Sequence, residues 1–390
     1  GAARQPNLRD TMQIFRRSDA SPLAEWWRTV DKGLIAAILM LLAAGLVLSL
    51  AAGPAAASRL GYDDPFYFVY RHAAFAIAAA VLLFVSSLLD EVWARRVCAV
   101  LFVICFVMMA LLLLIGHEAK GATRWLRIGG STFQPSEIIK PALIVLSAWL
   151  LAQRDRFPAG PWAPIAFAFY AVTVGLLLLQ PDVGQAALLS AGFIIVFFVA
   201  GLPWIWAASF VVGGAGLGWG LYALLPHVRQ RVNSFLNPTE YDTYQIDKAR
   251  EAIERGGMFG VGPGEGTVKR VLPDAHTDFI YSVAGEEFGL MLCVFLTLLF
   301  AVISIKGVIG AARQTDIYQR AAGVGLYSLF GLQAVINMSV NLSLIPPKGM
   351  TLPLVSSGGS SLLGSALTLG LALALTRKQP ETALWHLRQA

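Results

Sequence analysis

Charge is what this chain has least of. Only 14% of its 390 residues are Asp, Glu, Lys or Arg, against 56% hydrophobic, and the mean hydropathy is +0.64. One water-soluble core cannot hide that much apolar surface, so a soluble globular enzyme is excluded. Cysteine is nearly absent as well. Cys98, Cys105 and Cys293 are the three present, and each stands inside an apolar run where a thiol behaves as a small buried hydrophobe. Neither a disulfide framework nor a thiolate zinc site follows from them. Apolar runs recur from end to end, which leaves no span-free region large enough for a separate soluble domain. No short apolar segment with a cleavage site precedes the first span, which is therefore expected to be a retained signal anchor. The formal charge of +6 does not form a basic surface. Its Lys and Arg residues fall in short clusters between apolar runs, the pattern of positive-inside orientation, and nucleic acid is not an expected partner.

What the chain has instead is a series of apolar runs, each of a length that crosses a bilayer core of about 30 Å. Spans are expected at 33–53, 66–89, 97–116, 135–152, 161–180, 183–201, 203–225, 278–304, 318–345 and 351–376. The fold class is thus an all-α integral membrane protein, a polytopic bundle of about ten transmembrane helices. A cytoplasmic tail of residues 1–32 precedes a single membrane domain, 33–376, and a second cytoplasmic tail, 377–390, follows it. Counting crossings from the basic N-terminal tail puts Arg95, Arg154, Lys306, Arg313 and Arg377 on the cytoplasmic side, with both termini inside. Three polar segments then share the outer face: the loop 117–134, the large extracytoplasmic loop 226–277, and Pro346–Met350.

The richest chemistry lies in Leu272–Gly289, LPDAHTDFIYSVAGEEFG, which gathers His276, Thr277, Asp278, Glu286 and Glu287 at the mouth of a span. Carboxylates at membrane depth cost roughly 2.5 to 3.5 kcal/mol each and therefore mark protein-lined or water-filled sites. Asp278 is the candidate general base. The competing reading makes it an N-cap that satisfies orphan backbone donors. Glu286 and Glu287 lie two turns deeper and are the next candidates, either as cavity-lining carboxylates or as helix-packing groups, while His276 orients the loop.

Other polar groups share that face. Lys140 lies one turn inside a span and calls for a carboxylate, and Asp182 in QPDVG stands at similar depth, so a structural Lys140–Asp182 ion pair is expected. The alternative is a Lys140 that snorkels outward. Tyr244–Arg255 reads as an amphipathic surface helix. The glycine run FGVGPGEG lacks Rossmann and P-loop spacing and reads as a tight, adaptable loop near a ligand. Lys348 precedes the cluster Ser356-Ser357-Gly358-Gly359-Ser360-Ser361, whose small residues allow close helix approach. No His or Asp stands in a spacing that would make these serines nucleophiles.

The motifs GATRWLRIGG…QPSEIIKP, QPDVG, AHTDFIYSVAGEEFG and NLSLIPPKGMTLPLVSSGGSSLL, in this order, closely resemble the SEDS membrane glycosyltransferases, over essentially the whole membrane domain. The N-terminal SPLAEWWRTVDKGL and the RGGMFGVGPGEG stretch bring the chain nearer to the division branch of that family than to the elongation branch. Three positions depart from the pattern: IDKAREAIERGG after Gln245, Pro263 in the glycine run, and Ser357 where Tyr is usual.

The resemblance implies polymerisation of lipid II into peptidoglycan strands on the periplasmic face of a bacterial inner membrane, at the division septum. Asp278 matches the family's proposed catalytic Asp. Arg124, Lys140, Lys348, His276, Glu286, Ser357 and Ser360 are the substrate-binding candidates, and a divalent cation, Mg or Mn, is the cofactor the pyrophosphate admits. Implied partners are lipid II, a cognate class B penicillin-binding transpeptidase, other membrane proteins of the divisome, and membrane lipid. A lipid II flippase and a non-catalytic divisome scaffold are the rival functions.

Overall fold

The computed structural model describes residues 21–115, 125–128, 131–224, 226, 229, 233, 244–347 and 349–377. Arg124, Lys348 and most of both tails therefore lie outside the described residues. A short helix, α1 (Pro22–Thr29), begins at Ser21, whose hydroxyl accepts from the N–H of Ala24 at 3.3 Å. Its Trp26 Nε1 donates to Ser87 Oγ at 2.9 Å, pinning the helix beneath the bundle.

Helices stand at all ten expected span positions: α2 (Lys32–Leu60), α3 (Tyr67–Ser87), α4 (Glu91–Ile115), α5 (Pro135–Arg156), α6 (Trp162–Leu179), α7 (Val183–Val199), α8 (Trp204–Leu224), α10 (Ile280–Ala312), α11 (Ile317–Asn341) and α12 (Gly359–Leu375). Between α8 and α10 lies the amphipathic α9 (Tyr244–Gly256). Among the described residues, seven of these helices have the length and apolarity to cross a bilayer, while α7 and α12 are apolar but only 17 residues long. The protein is an integral membrane helical bundle. One hairpin interrupts the helices among the described residues: β1 (Leu126–Ile128) pairs antiparallel with β2 (Ser131–Phe133), Arg127 opposite Thr132.

Boundaries depart from expectation where polar groups recast a helix end. α4 starts six residues early because Asp90 accepts from the N–H of Trp93 at 2.6 Å and caps it. α12 starts eight residues late because 351–358 is wound into turns instead. α10 is not one rod. Gly289 has φ 76 and ψ −176, a left-handed conformation that favours glycine and breaks the helix there.

At the centre runs α5, the most buried of those seven helices, packed against α4, α6, α7, α11 and α12. α10 packs on α2, α9 and α11, and α12 packs on α3. All three cysteines are buried free thiols.

Candidate active site

The turn that carries Asp278 is set by its own backbone. The carbonyl of Asp274, at φ 53, accepts from the N–H groups of Thr277 and Asp278, each at 3.0 Å, and from that of Phe279 at 3.2 Å. α10 begins only at Ile280, its N-cap is Phe279, and the Phe279 side chain makes no cap hydrogen bond. Asp278 lies one position before that cap. Asp278 as a whole is half-buried.

Two amides of α11 fix the same residue from the side. Asn337 Nδ2 donates to the Asp278 carbonyl at 2.8 Å and to the Met350 carbonyl at 2.6 Å, and Asn341 Nδ2 donates to the Asp278 carbonyl at 3.0 Å. The serine cluster closes on the turn as well. Ser356 Oγ donates to the Thr277 carbonyl at 2.6 Å, and the Ser357 N–H donates to the His276 carbonyl at 3.0 Å. His276 packs its ring on Phe68 of α3, with centroids 4.7 Å apart. Arg59, near the end of α2, donates to the Leu272 carbonyl. Residues 272–278, 350–357 and the ends of α2, α3 and α11 thus meet at one end of the bundle. Ser360 is buried in the first turn of α12, and Ser361 hydrogen-bonds Thr351.

Glu286 takes a different part from the substrate contact expected of it. Its Oε1 accepts from the N–H groups of Thr267 and Val268, each at 2.7 Å, and its Oε2 from that of Lys269 at 3.0 Å. A carboxylate fully buried against three backbone donors is a structural acceptor for the 267–270 turn. Glu287 is likewise occupied. It pairs with Lys269, whose ammonium also donates to the Ala51 carbonyl of α2 at 2.8 Å, and it accepts from the Gly264 N–H at 3.0 Å.

The glycine run, expected as a tight, adaptable loop, is the segment that fills the break in α10. Carbonyls of Glu286 and Glu287 accept from Val261 and Gly262, and the N–H groups of Leu290 and Met291 donate to Gly257 and Met258. Four backbone groups around the break at Gly289 find partners in this way.

The Lys140–Asp182 ion pair is corrected. Lys140 Nζ lies 2.9 Å from Glu137 Oε2, one turn back on the same helix, and donates to Gln185 Oε1 at 2.7 Å and Gln333 Oε1 at 3.0 Å. Gln185 Nε2 donates to Glu137 Oε1 at 2.7 Å. A carboxylate three residues away reaches a 2%-exposed ammonium without crossing between helices, and snorkelling is excluded by the same burial. Asp182 instead caps α7 through the Gln185 N–H at 3.4 Å and accepts from Gln134 Nε2 at 3.1 Å.

Sequence reasoning missed the residues that join these parts. Gln333, Asn337 and Asn341 lie four apart on one face of α11. Gln333 accepts from Lys140 and donates to the Thr351 carbonyl at 3.3 Å, while the two asparagines hold Asp278. A polar residue every fourth position inside an apolar run was the signal.

No three His, Cys, Asp or Glu residues gather among the described residues, and Glu286 and Glu287 have spent their oxygens on the chain itself.

Residues 32–381 match the model of the cell cycle protein family that groups FtsW, RodA and SpoVE. The chain belongs to that family. It is 48% identical over 369 residues, 94% of each chain, to the probable peptidoglycan glycosyltransferase FtsW of Caulobacter vibrioides (strain NA1000 / CB15N). Stage V sporulation protein E of Bacillus subtilis (strain 168) is 32% identical over 89% of this chain and 97% of its own. Among solved structures, the fold is similar to a chain of a peptidoglycan synthase complex that coordinates polymerization and crosslinking, with a TM-score of 0.73, 29% identity, and coverage of 90% of this chain and 99% of that one. It is also similar to the rod shape determining protein RodA of Thermus thermophilus, with a TM-score of 0.66, 30% identity, and coverage of 91% and 99%.

Proposed function

We propose that this chain is a peptidoglycan glycosyltransferase that polymerises lipid II, with Asp278 as its general base. The observation that carries the reading is the Asp278 turn. A half-buried aspartate sits on main chain fixed by two buried amides, at the end of the bundle where the 350–357 segment closes in. A sugar 4-hydroxyl attacks the anomeric carbon of the lipid-linked glycan, Asp278 takes the hydroxyl proton, and the pyrophosphate leaves. One base suffices because pyrophosphate leaves without protonation by an acid, whereas a glycoside hydrolase needs a carboxylate pair. Lys140 and Lys269 are each neutralised by a carboxylate, which leaves Arg124, Arg270 and Lys348 as the candidates for the cationic role at the pyrophosphate. No step is routed through a metal.

The topology in this reading has ten crossings, both termini in the cytoplasm, and the Asp278 end facing the periplasm of the inner membrane at the septum. A class B penicillin-binding transpeptidase and other division proteins are its partners. The likeness to a chain of a peptidoglycan synthase complex supports the transpeptidase.

The test is synthesis in detergent, where there are no leaflets to flip between. Purified protein supplied with lipid II should make glycan polymer, and Asp278→Asn should lower the rate by at least about 10²-fold while melting as the parent does. No polymer from the parent, alone or with its partner, would favour the flippase or scaffold. Polymer from the Asn variant at the parent rate would remove Asp278 from the chemistry.

A further inference from the structure

Asn341 stands where a backbone hydrogen bond would otherwise be. In an unbroken helix the Asp278 carbonyl would accept from the N–H of Ser282, four residues on. Here the Asn341 side chain is inserted between them. Its Nδ2 donates to the Asp278 carbonyl at 3.0 Å, and its Oδ1 accepts from the Ser282 N–H at 3.0 Å and from Ser282 Oγ at 2.8 Å. The displaced Ser282 N–H also reaches only as far as the Phe279 carbonyl, at 3.1 Å. Both ends of the missing helical bond are satisfied by one amide, and α10 therefore starts after Asp278. Asn337, one turn away, adds the second bond to the same carbonyl and ties it to Met350. Asn337, Asn341 and Ser282 are all buried.

We propose that Asn341 and Asn337 are positioning residues for the reaction: by splicing an amide into the start of α10 they hold Asp278 out of the helix and set the direction of its carboxylate. The proposal rests on Asp278 as the base. Each residue absorbed into a helix turns its side chain by about 100° around the axis, so extending α10 back over Asp278 would swing the carboxylate off its target. Neither amide touches substrate. Their effect is on turnover, since a misplacement of about 1 Å can cost on the order of 10²-fold in rate.

Two variants test this in the purified full-length chain with lipid II, assayed alone and with a co-expressed transpeptidase. Asn341→Asp keeps the oxygen that serves Ser282 and removes the donor to Asp278, and Asn337→Leu keeps the volume and removes both of its donations. Turnover should fall about 10- to 100-fold with the half-saturating lipid II concentration within about twofold, the signature of a lost transition-state arrangement. The buried carboxylate of Asn341→Asp should lower the melting temperature, so turnover is compared below the melting onset of each variant, and if Asn337→Leu does not fold, Asn341→Asp alone decides. On an Asp278→Asn background neither change should lower the residual rate further, because all three act through one group.

Full turnover in a folded Asn341→Asp variant, beside an inactive Asp278→Asn, would overturn the positioning role and leave the base standing. An equal fold-loss on the Asp278→Asn background would also overturn it, by showing an effect that bypasses Asp278. Parent-rate polymerisation by Asp278→Asn would overturn the base and the positioning role together.

Discussion

Replacing Lys140 with methionine keeps the length of the stem and removes the ammonium. Lys140 and Glu137 are exposed by only 2% and 4% at their side chains, so neither charge can recruit bulk water when the other is gone. In Lys140→Met the Glu137 carboxylate retains the Gln185 amide, and the Oε1 atoms of Gln185 and Gln333 both lose a donor. Breaking a buried pair from one side costs about 3 to 5 kcal/mol. That is roughly two to three and a half decades in a folding equilibrium. Neutralising both members is far milder, since no charge is left in the interior, so Glu137→Gln added to Lys140→Met should restore most of the loss. Asp182→Asn added instead should restore none. Heating purified protein in detergent with a thiol-reactive dye reads the outcome directly, because Cys98, Cys105 and Cys293 are buried and react only as the bundle opens. A Lys140→Met variant that melts with the parent would refute the network, and rescue by Asp182→Asn but not by Glu137→Gln would reinstate the Asp182 pairing.

The segment seated in the break of α10 predicts a steric outcome at Gly260: at φ +81, an added Cβ would collide with the Glu287 carbonyl, so Gly260→Ala should cost more stability than the roughly 1 kcal/mol of an ordinary conformational change and lower the melting point, and parent-like melting would show that the loop is not seated there. For the topology, cysteines introduced at the exposed Glu265 and Arg313 should be labelled by an impermeant reagent from opposite sides of the membrane, and labelling from one side would refute the proposed crossings.

Helix positions were legible because a bilayer demands about 20 apolar residues for each crossing, and that demand is written as composition. Ends were less legible. Asp90 lengthens α4 by a local cap that a hydropathy run does not register, and the Ser-Gly segment 351–358 looks apolar enough to be helix until its hydrogen bonds to Thr277 and His276 are known. Asp278 stood out as a carboxylate at a span mouth. Its amide clamps did not, although Gln333, Asn337 and Asn341 repeat at a helical interval. Lys140 was rightly expected to need a carboxylate, but depth alone favoured Asp182 over the nearer Glu137 on the same turn. Glu286 could not be assigned from the sequence, because its partners are backbone N–H groups some seventeen to nineteen residues upstream, and backbone groups carry no residue signature.

The break at Gly289 also dictates an order of biosynthesis. A span with a gap in its hydrogen-bond ladder would leave four main-chain groups bare in lipid, each at a cost of several kcal/mol, so the broken form of α10 cannot be populated until something covers it. What covers it, residues 257–262, precedes the break in the chain and leaves the ribosome first. The nascent span can enter as a continuous helix and open at the glycine only when the earlier segment docks. Cutting the chain between α9 and α10 and expressing the halves in reverse order would remove that head start.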